Sequence, residues 1–148
     1  SLQALEIKYH KHPEPAFNLD LYGNLAHLSD KLLYKELALE YWHKSLEWAL
    51  IFKNHQQTAT FYYNLARSQV TSNQLNDAEK NYNKAIYYAS KANDQAKLAQ
   101  AKFFLTKLKI SQNLLAQAKD IFQSINFKSL PTGNHDMFKE LQLYFENI

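Results

Sequence analysis

A chain of 148 residues with 46% apolar side chains can bury one ordinary core and is too short for two comfortable domains. Its formal charge of +3, made of interspersed signs, excludes the clustered basic face of a dedicated nucleic-acid binder, and the lack of cysteine excludes disulfides, thiolate metal sites and a cysteine nucleophile. Two Gly and three Pro beside 14% aromatic residues exclude a turn-rich β architecture and predict an all-α fold.

In chain order, Ser1-Leu2-Gln3 offers neither an initiating Met nor the basic and apolar regions of a signal peptide. We therefore expect a piece of a longer protein, cytoplasmic in location. Ala4-Leu5-Glu6 echoes Ser45-Leu46-Glu47, so residues 1–10 read as the second helix of a preceding unit. Glu14 followed by Pro15 suits a helix start. From there the apolar spacing predicts helices over about 16–30, 34–53, 55–72, 75–92, 95–111 and 114–125. After the Pro131-Thr132-Gly133 loop a last helix spans about 135–147. Asn54, Asp94 and Asn134 are N-cap types whose side-chain oxygen can accept from free backbone N–H groups. Asn73-Gln74 and Gln112-Asn113 mark reversals within helix pairs. No run of about 18 uncharged apolar residues is present, so no membrane span is expected.

These boundaries recur every 40 residues, at Glu14, Asn54, Asp94 and Asn134. The interior repeats with them. Ala38, Ala78 and Ala118 are in register, followed by Trp42, Tyr82 and Phe122, then by Ser45, Ala85 and Ile125. Upstream, Leu25, Leu65 and Leu105 align, each trailed by Ala26, Ala66 or Thr106; Tyr22 and Tyr62 share a slot that Lys102 breaks. Small residues let paired helices approach closely, and the large rings fill the space between one pair and the next. Each pair leaves an apolar face bare until a neighbour stacks on it.

The stretch from Tyr62-Tyr63-Asn64-Leu65-Ala66 through Asn76-Asp77-Ala78 to Tyr82-Asn83-Lys84-Ala85-Ile86 resembles a tetratricopeptide repeat. Residues 16–53 match less well, and 95–125 match through Leu105, Ala118 and Phe122. The unit is longer than the common one of 34 residues, as in the arrays of bacterial peptide-sensing regulators and scaffold proteins. The resemblance implies a right-handed superhelical α-α solenoid of tetratricopeptide-like hairpins. Its expected parts are a partial unit at 1–13, repeats at 14–53, 54–93 and 94–133, and a capping or partial helix at 134–148.

In that family the first, or A, helices line a concave groove. The resemblance then brings forward residues that recur on them. Asn24 and Asn64 share a slot that Phe104 takes in the third unit. His27, Arg67 and Lys107 form a basic ladder, and Tyr63 with Phe103 stands opposite Gly23. Paired Asn amides can hold an extended peptide backbone, a basic ladder favours acidic side chains or a terminal carboxylate, and rings offer apolar anchorage. Some members clamp the C-terminal carboxylate of chaperones. Asn64 fits that clamp, but Gly23, His27, Gln100 and Phe104 depart from it, so we do not expect it here.

Catalytic patterns are missing. The six histidines form no i, i+4 ligand pair, so no metal or cofactor is expected. Glu36 and Glu40 read as a solvated helix face rather than an acid–base pair. There is no Gly-rich phosphate loop and no Gly-x-Ser-x-Gly elbow. The Lys and Tyr residues between Tyr82 and Lys91 scatter around their helix, against nucleic-acid binding. The expected function is a non-catalytic protein- or peptide-binding module that uses Asn24, His27, Tyr63, Asn64, Arg67, Phe103 and Lys107. The alternative is the sensory part of a bacterial transcription regulator or signalling kinase. A third expectation is self-association through residues 134–148, where Phe138, Leu141, Tyr144 and Phe145 form an apolar edge.

Overall fold

The computed structural model describes the chain from Pro15 to Ile148, with side chains from Asp20 onward. The helix expected over residues 1–10, the Glu14 cap, and His10 and His12 lie outside the described residues. Seven α-helices follow one another: α1 (Pro15–Lys31), α2 (Lys35–Phe52), α3 (His55–Thr71), α4 (Leu75–Lys91), α5 (Gln95–Ser111), α6 (Leu115–Gln123) and α7 (His135–Glu146). Among the described residues there is no strand, and no helix is long and apolar enough to cross a membrane.

The connections explain the regularity. Leu33, Lys53, Asn73, Asn93 and Asn113 all have positive φ, between 53° and 62°, at a spacing of 20 residues. At four of them the N–H of the left-handed residue reaches back three residues and the next N–H reaches back five. Examples are Asn73 to Val70 at 3.1 Å and Gln74 to Gln69 at 2.8 Å. This closes the last carbonyls of one helix and turns the chain directly into the next. Asn tolerates the left-handed region because its short polar side chain bonds locally. Leu33 and Lys53 occupy it without that help.

Asn54 and Asp94 cap as expected, accepting from the N–H of Gln57 at 3.1 Å and of Lys97 at 3.0 Å. Asn134 does not. Its side-chain oxygen accepts from Gln100 Nε2 at 3.2 Å instead, tying α7 back to α5. The sixth helix stops at Gln123, two residues earlier than expected, and the segment leading to α7 contains the short 3-10 turns Phe127–Ser129 and Thr132–Asn134.

Neighbouring helices pack in sequence, and α3 also touches α5 directly. Every repeating interior position is buried: Ala38, Ala78 and Ala118, then Trp42, Tyr82 and Phe122, then Ser45, Ala85 and Ile125, with Leu25, Leu65 and Leu105 behind them. Lys102, which breaks the tyrosine slot, points its ammonium at the Ser124 carbonyl (3.4 Å), where the end of α6 leaves acceptors free. The core forms two clusters. One runs from Leu21 to Leu108; the other gathers Phe103, Ala118, Phe122, Leu130, Phe138 and Phe145, and Phe104 touches both. Phe138 and Phe145, expected on an open edge, are therefore buried against Phe122 of their own chain, at 4.5 and 5.1 Å between ring centres. Leu143, Tyr144 and Ile148 remain exposed.

Two polar links join successive helices inside this apolar frame. Asn81 Nδ2 donates to the buried Gln69 at 2.8 Å, linking α4 to α3. Lys109, itself buried, pairs with Glu79 and links α5 to α4.

Candidate binding cleft

Helical phase decides which side chains of α1 and α3 remain outside once the repeating Leu, Ala and Tyr positions turn inward. On α1, Asn24, His27 and Asp30 are exposed; on α3, Arg67 and Thr71 are exposed and Asn64 is half-buried. Between them lies a cleft of about 330 Å³ lined by His27, Asp30, Leu33, Lys35, Trp42, Asn64, Arg67, Ser68 and Thr71. His27, Asn64 and Arg67 thus meet at one place. Asn24 does not line the cleft, and Lys107 lies one helix pair further along, on α5.

The floor is Trp42, fully buried on α2. Its indole N–H donates to Asp30 Oδ2 at 2.7 Å. The Ser68 hydroxyl donates to the same carboxylate, at 2.8 Å to Oδ1 and 3.1 Å to Oδ2. One carboxylate therefore joins α1, α2 and α3. Charge-assisted bonds of this kind are about twice as strong as neutral ones. His27 stands edge-on to Trp42, 4.7 Å between ring centres. The basic ladder accordingly begins beside a carboxylate, which the sequence reading had not placed there.

Tyr63 and Phe103, expected on the open face, are interior residues, 2% and 0% exposed. Phe103 belongs to the cluster under α6 and α7 and meets Phe104 edge-on at 5.4 Å. Tyr63 lies between Tyr82 and Phe104, at 6.2 and 5.7 Å. The half-buried ring near the surface is Phe104. The Arg67 guanidinium sits 4.7 Å from the Phe104 ring centre and 5.7 Å from that of Tyr63. Lys107 lies 5.5 Å from Phe104, and Lys97 lies 4.3 Å from Tyr63.

Burial pushes the Tyr63 hydroxyl up to about 12, opposed by the charge and proximity of Arg67. Arg67 is close enough to act on that hydroxyl without making an aligned hydrogen bond to it. Tyr82 is raised too, by burial first and then by Tyr63. Desolvation pulls Lys97 down; Asp94 opposes that shift and Arg67 adds to it.

Asp30, Ser68 and Lys97 are thus the contributors that the 40-residue register missed, while it brought up Trp42 as an interior ring and Phe104 in the Asn slot without assigning either to the site. Asp30 aligns with Val70 and Ile110, and Lys97 with Gln57, so neither recurs from unit to unit. A helical-face reading gives a weak signal for Asp30 alone, because it stands three residues after His27. Among the described residues no group of three His, Cys, Asp or Glu side chains is arranged to hold a metal ion. What the cleft offers is an amide, a guanidinium, an imidazole and a carboxylate around a buried indole, a set suited to hydrogen bonding. No protein-family profile matches the sequence, and no curated protein is similar to it.

Proposed function

We propose that this chain is a non-catalytic peptide- or protein-binding module of the tetratricopeptide type, its helix pairs stacked as a right-handed superhelix with α1, α3 and α5 lining the concave side. The observation that carries this reading is the cleft between α1 and α3, where Asn64, His27 and Arg67 surround a floor fixed by the Trp42–Asp30–Ser68 link. An extended peptide has one amide donor and acceptor per residue and needs this kind of partner. The floor costs little to organise on binding, since its hydrogen bonds are already made.

The test is a peptide array probed with the wild-type chain and with Arg67→Glu combined with Lys107→Glu. Both side chains are exposed, so helicity measured by circular dichroism stays intact. Capture of extended, acidic peptides by the wild type and its loss in the variant support the reading. Equal capture by both, or none by either, rejects the groove.

A further inference from the structure

We propose that Arg67, Lys97 and Lys107, gathered on the touching rings of Tyr63 and Phe104, form an oxyanion site that takes a carboxylate or phosphate group carried by the bound peptide. This deepens the peptide-binding reading and rests on it. Two of the three cations, Lys97 and Lys107, come from α5 and the third, Arg67, from α3. They approach two rings whose centres are 5.7 Å apart, with Arg67 over both. Among the described residues the ion pairs are Lys44–Glu40 and Lys109–Glu79, and neither involves this cluster.

The carboxylate that acts on Lys97 is already engaged, and Asp30, which lines the same cleft as Arg67, is held by Trp42 and Ser68. Asp94 accepts from the backbone N–H of Lys97 at 3.0 Å as the cap of α5, and from Gln56 Nε2 at 3.4 Å. The Lys97 ammonium donates to Gln100 Oε1 at 3.0 Å, which leaves two of its three protons unused. Gln100 is itself held by Asn134. The Arg67 guanidinium lies close to the Tyr63 hydroxyl without an aligned hydrogen bond to it, and most of its five N–H donors remain for a bidentate acceptor.

The rings hold these cations in place without neutralising them. A cation over an aromatic face gains much less than a paired oxyanion supplies. Like charges are thus concentrated at the end of the cleft that Arg67 also lines. Burial pulls the Lys97 pKa down; Asp94 opposes that shift and Arg67 adds to it, so the charge of Lys97 is only partly offset. The residues differ from the chaperone clamp set, whose third-unit positions are held here by Gln100 and Phe104.

The experiment titrates three acetylated, amidated hexapeptides into the isotope-labelled chain at about 50 mM salt: hexaglutamate, hexaglutamine, and a hexapeptide with one phosphoserine among glutamines. At that ionic strength screening still leaves short-range charge pairing strong. Hexaglutamate or the phosphopeptide is expected to bind about tenfold or more tightly than hexaglutamine, as one charge-assisted contact supplies, and to shift the Arg67 side-chain N–H signal. Of the two, the peptide whose advantage over hexaglutamine is lost in the Arg67/Lys97 variant identifies the oxyanion. Arg67→Gln with Lys97→Gln removes the preference. Lys84→Gln with Lys91→Gln keeps it, because those lysines lie over Tyr62 and Tyr87 instead. Lys107→Gln alone, at an exposed position, weakens the preference with no risk to the core.

Equal saturable binding of all three peptides overturns the oxyanion site and leaves the peptide groove standing. An acidic preference that the Lys84/Lys91 variant loses as much as the Arg67/Lys97 variant also overturns it, since surface charge alone would then explain it. Absence of any binding overturns it as well, and the peptide array then decides the groove separately.

Discussion

At Tyr63 a phenol is held in the interior with its hydroxyl lacking an aligned partner and its pKa raised to about 12. An acid raised in the folded state stabilises fully below the unfolded value near pH 10 and loses that contribution as pH climbs to 12. The loss amounts to about 2–3 kcal/mol by pH 12. Lys97 shifts the other way, and its effect favours the folded state as pH rises toward 10.5, so it is spent before the tyrosine loss is well under way. Tyr63→Phe is expected to keep neutral-pH stability and to flatten the fall between pH 10 and 12, read by urea denaturation at several pH values. An unchanged alkaline slope would assign that sensitivity to Tyr82 or elsewhere. Asp30 contributes through the hydrogen bonds it accepts. Asp30→Ala leaves the buried Trp42 N–H without its acceptor and should cost about 1–3 kcal/mol. A cost below a few tenths of a kcal/mol would mean that water replaces the carboxylate. Gly23 is a simpler case: a Cβ there would meet Phe61 at 3.5 Å, an ordinary contact, and its backbone is not left-handed. Gly23→Ala should therefore raise stability by about 0.5–1 kcal/mol, the helix-propensity difference.

At the scale of elements, the 20-residue recurrence of left-handed residues divides the chain into near-equal helices. Three of the five positions hold Asn, and two hold residues that pay for the conformation. Lys53 is exposed and makes only the backbone bond to Leu50 at 3.2 Å. Lys53→Gly should stabilise the α2–α3 turn by about 1 kcal/mol, as relief of left-handed backbone strain allows. Asn73→Ala should destabilise the α3–α4 turn by a comparable amount. Thermal melting of both variants checks the pair, and the same sign for the two changes would disprove the turn argument. Capping follows a separate rule. Only every second helix start among α2 to α6, at Asn54 and Asp94, has a side-chain cap. That is why the 40-residue period is visible in the sequence while the 20-residue one is carried by backbone.

At the scale of the whole molecule, α7 covers the aromatic cluster that lies against α5 and α6. Phe138 and Phe145 cover Phe122, and Asn134 holds Gln100, so α7 packs on α5 and α6. Removing residues 134–148 should expose this cluster and lower hydrogen-exchange protection in α5 and α6 much more than in α3 and α4, because stacked units depend mainly on their neighbours. Uniform loss across α3 to α6 would show that the helices unfold as one block. Light scattering of the intact and shortened chains tests self-association through this helix; a monomer in both removes it.

The sequence by itself determined the all-α class, the boundaries of the described helices to within two residues and the repeating interior positions of the core. Apolar periodicity, small-residue register and turn chemistry are local properties, and they agree at every level. Together, the register and the family resemblance put His27, Asn64 and Arg67 on one groove face, and the structure brings them to one cleft. Only the tertiary structure decided that Tyr63 and Phe103 turn inward, because neighbouring positions on a helix differ by about 100° and the packing of α4, α6 and α7 selects which is covered. Only the structure brought Asp30 to Trp42 and Ser68, and Lys97 to Tyr63. Those contacts join residues that do not repeat, across helices whose separation in space no spacing along the chain records.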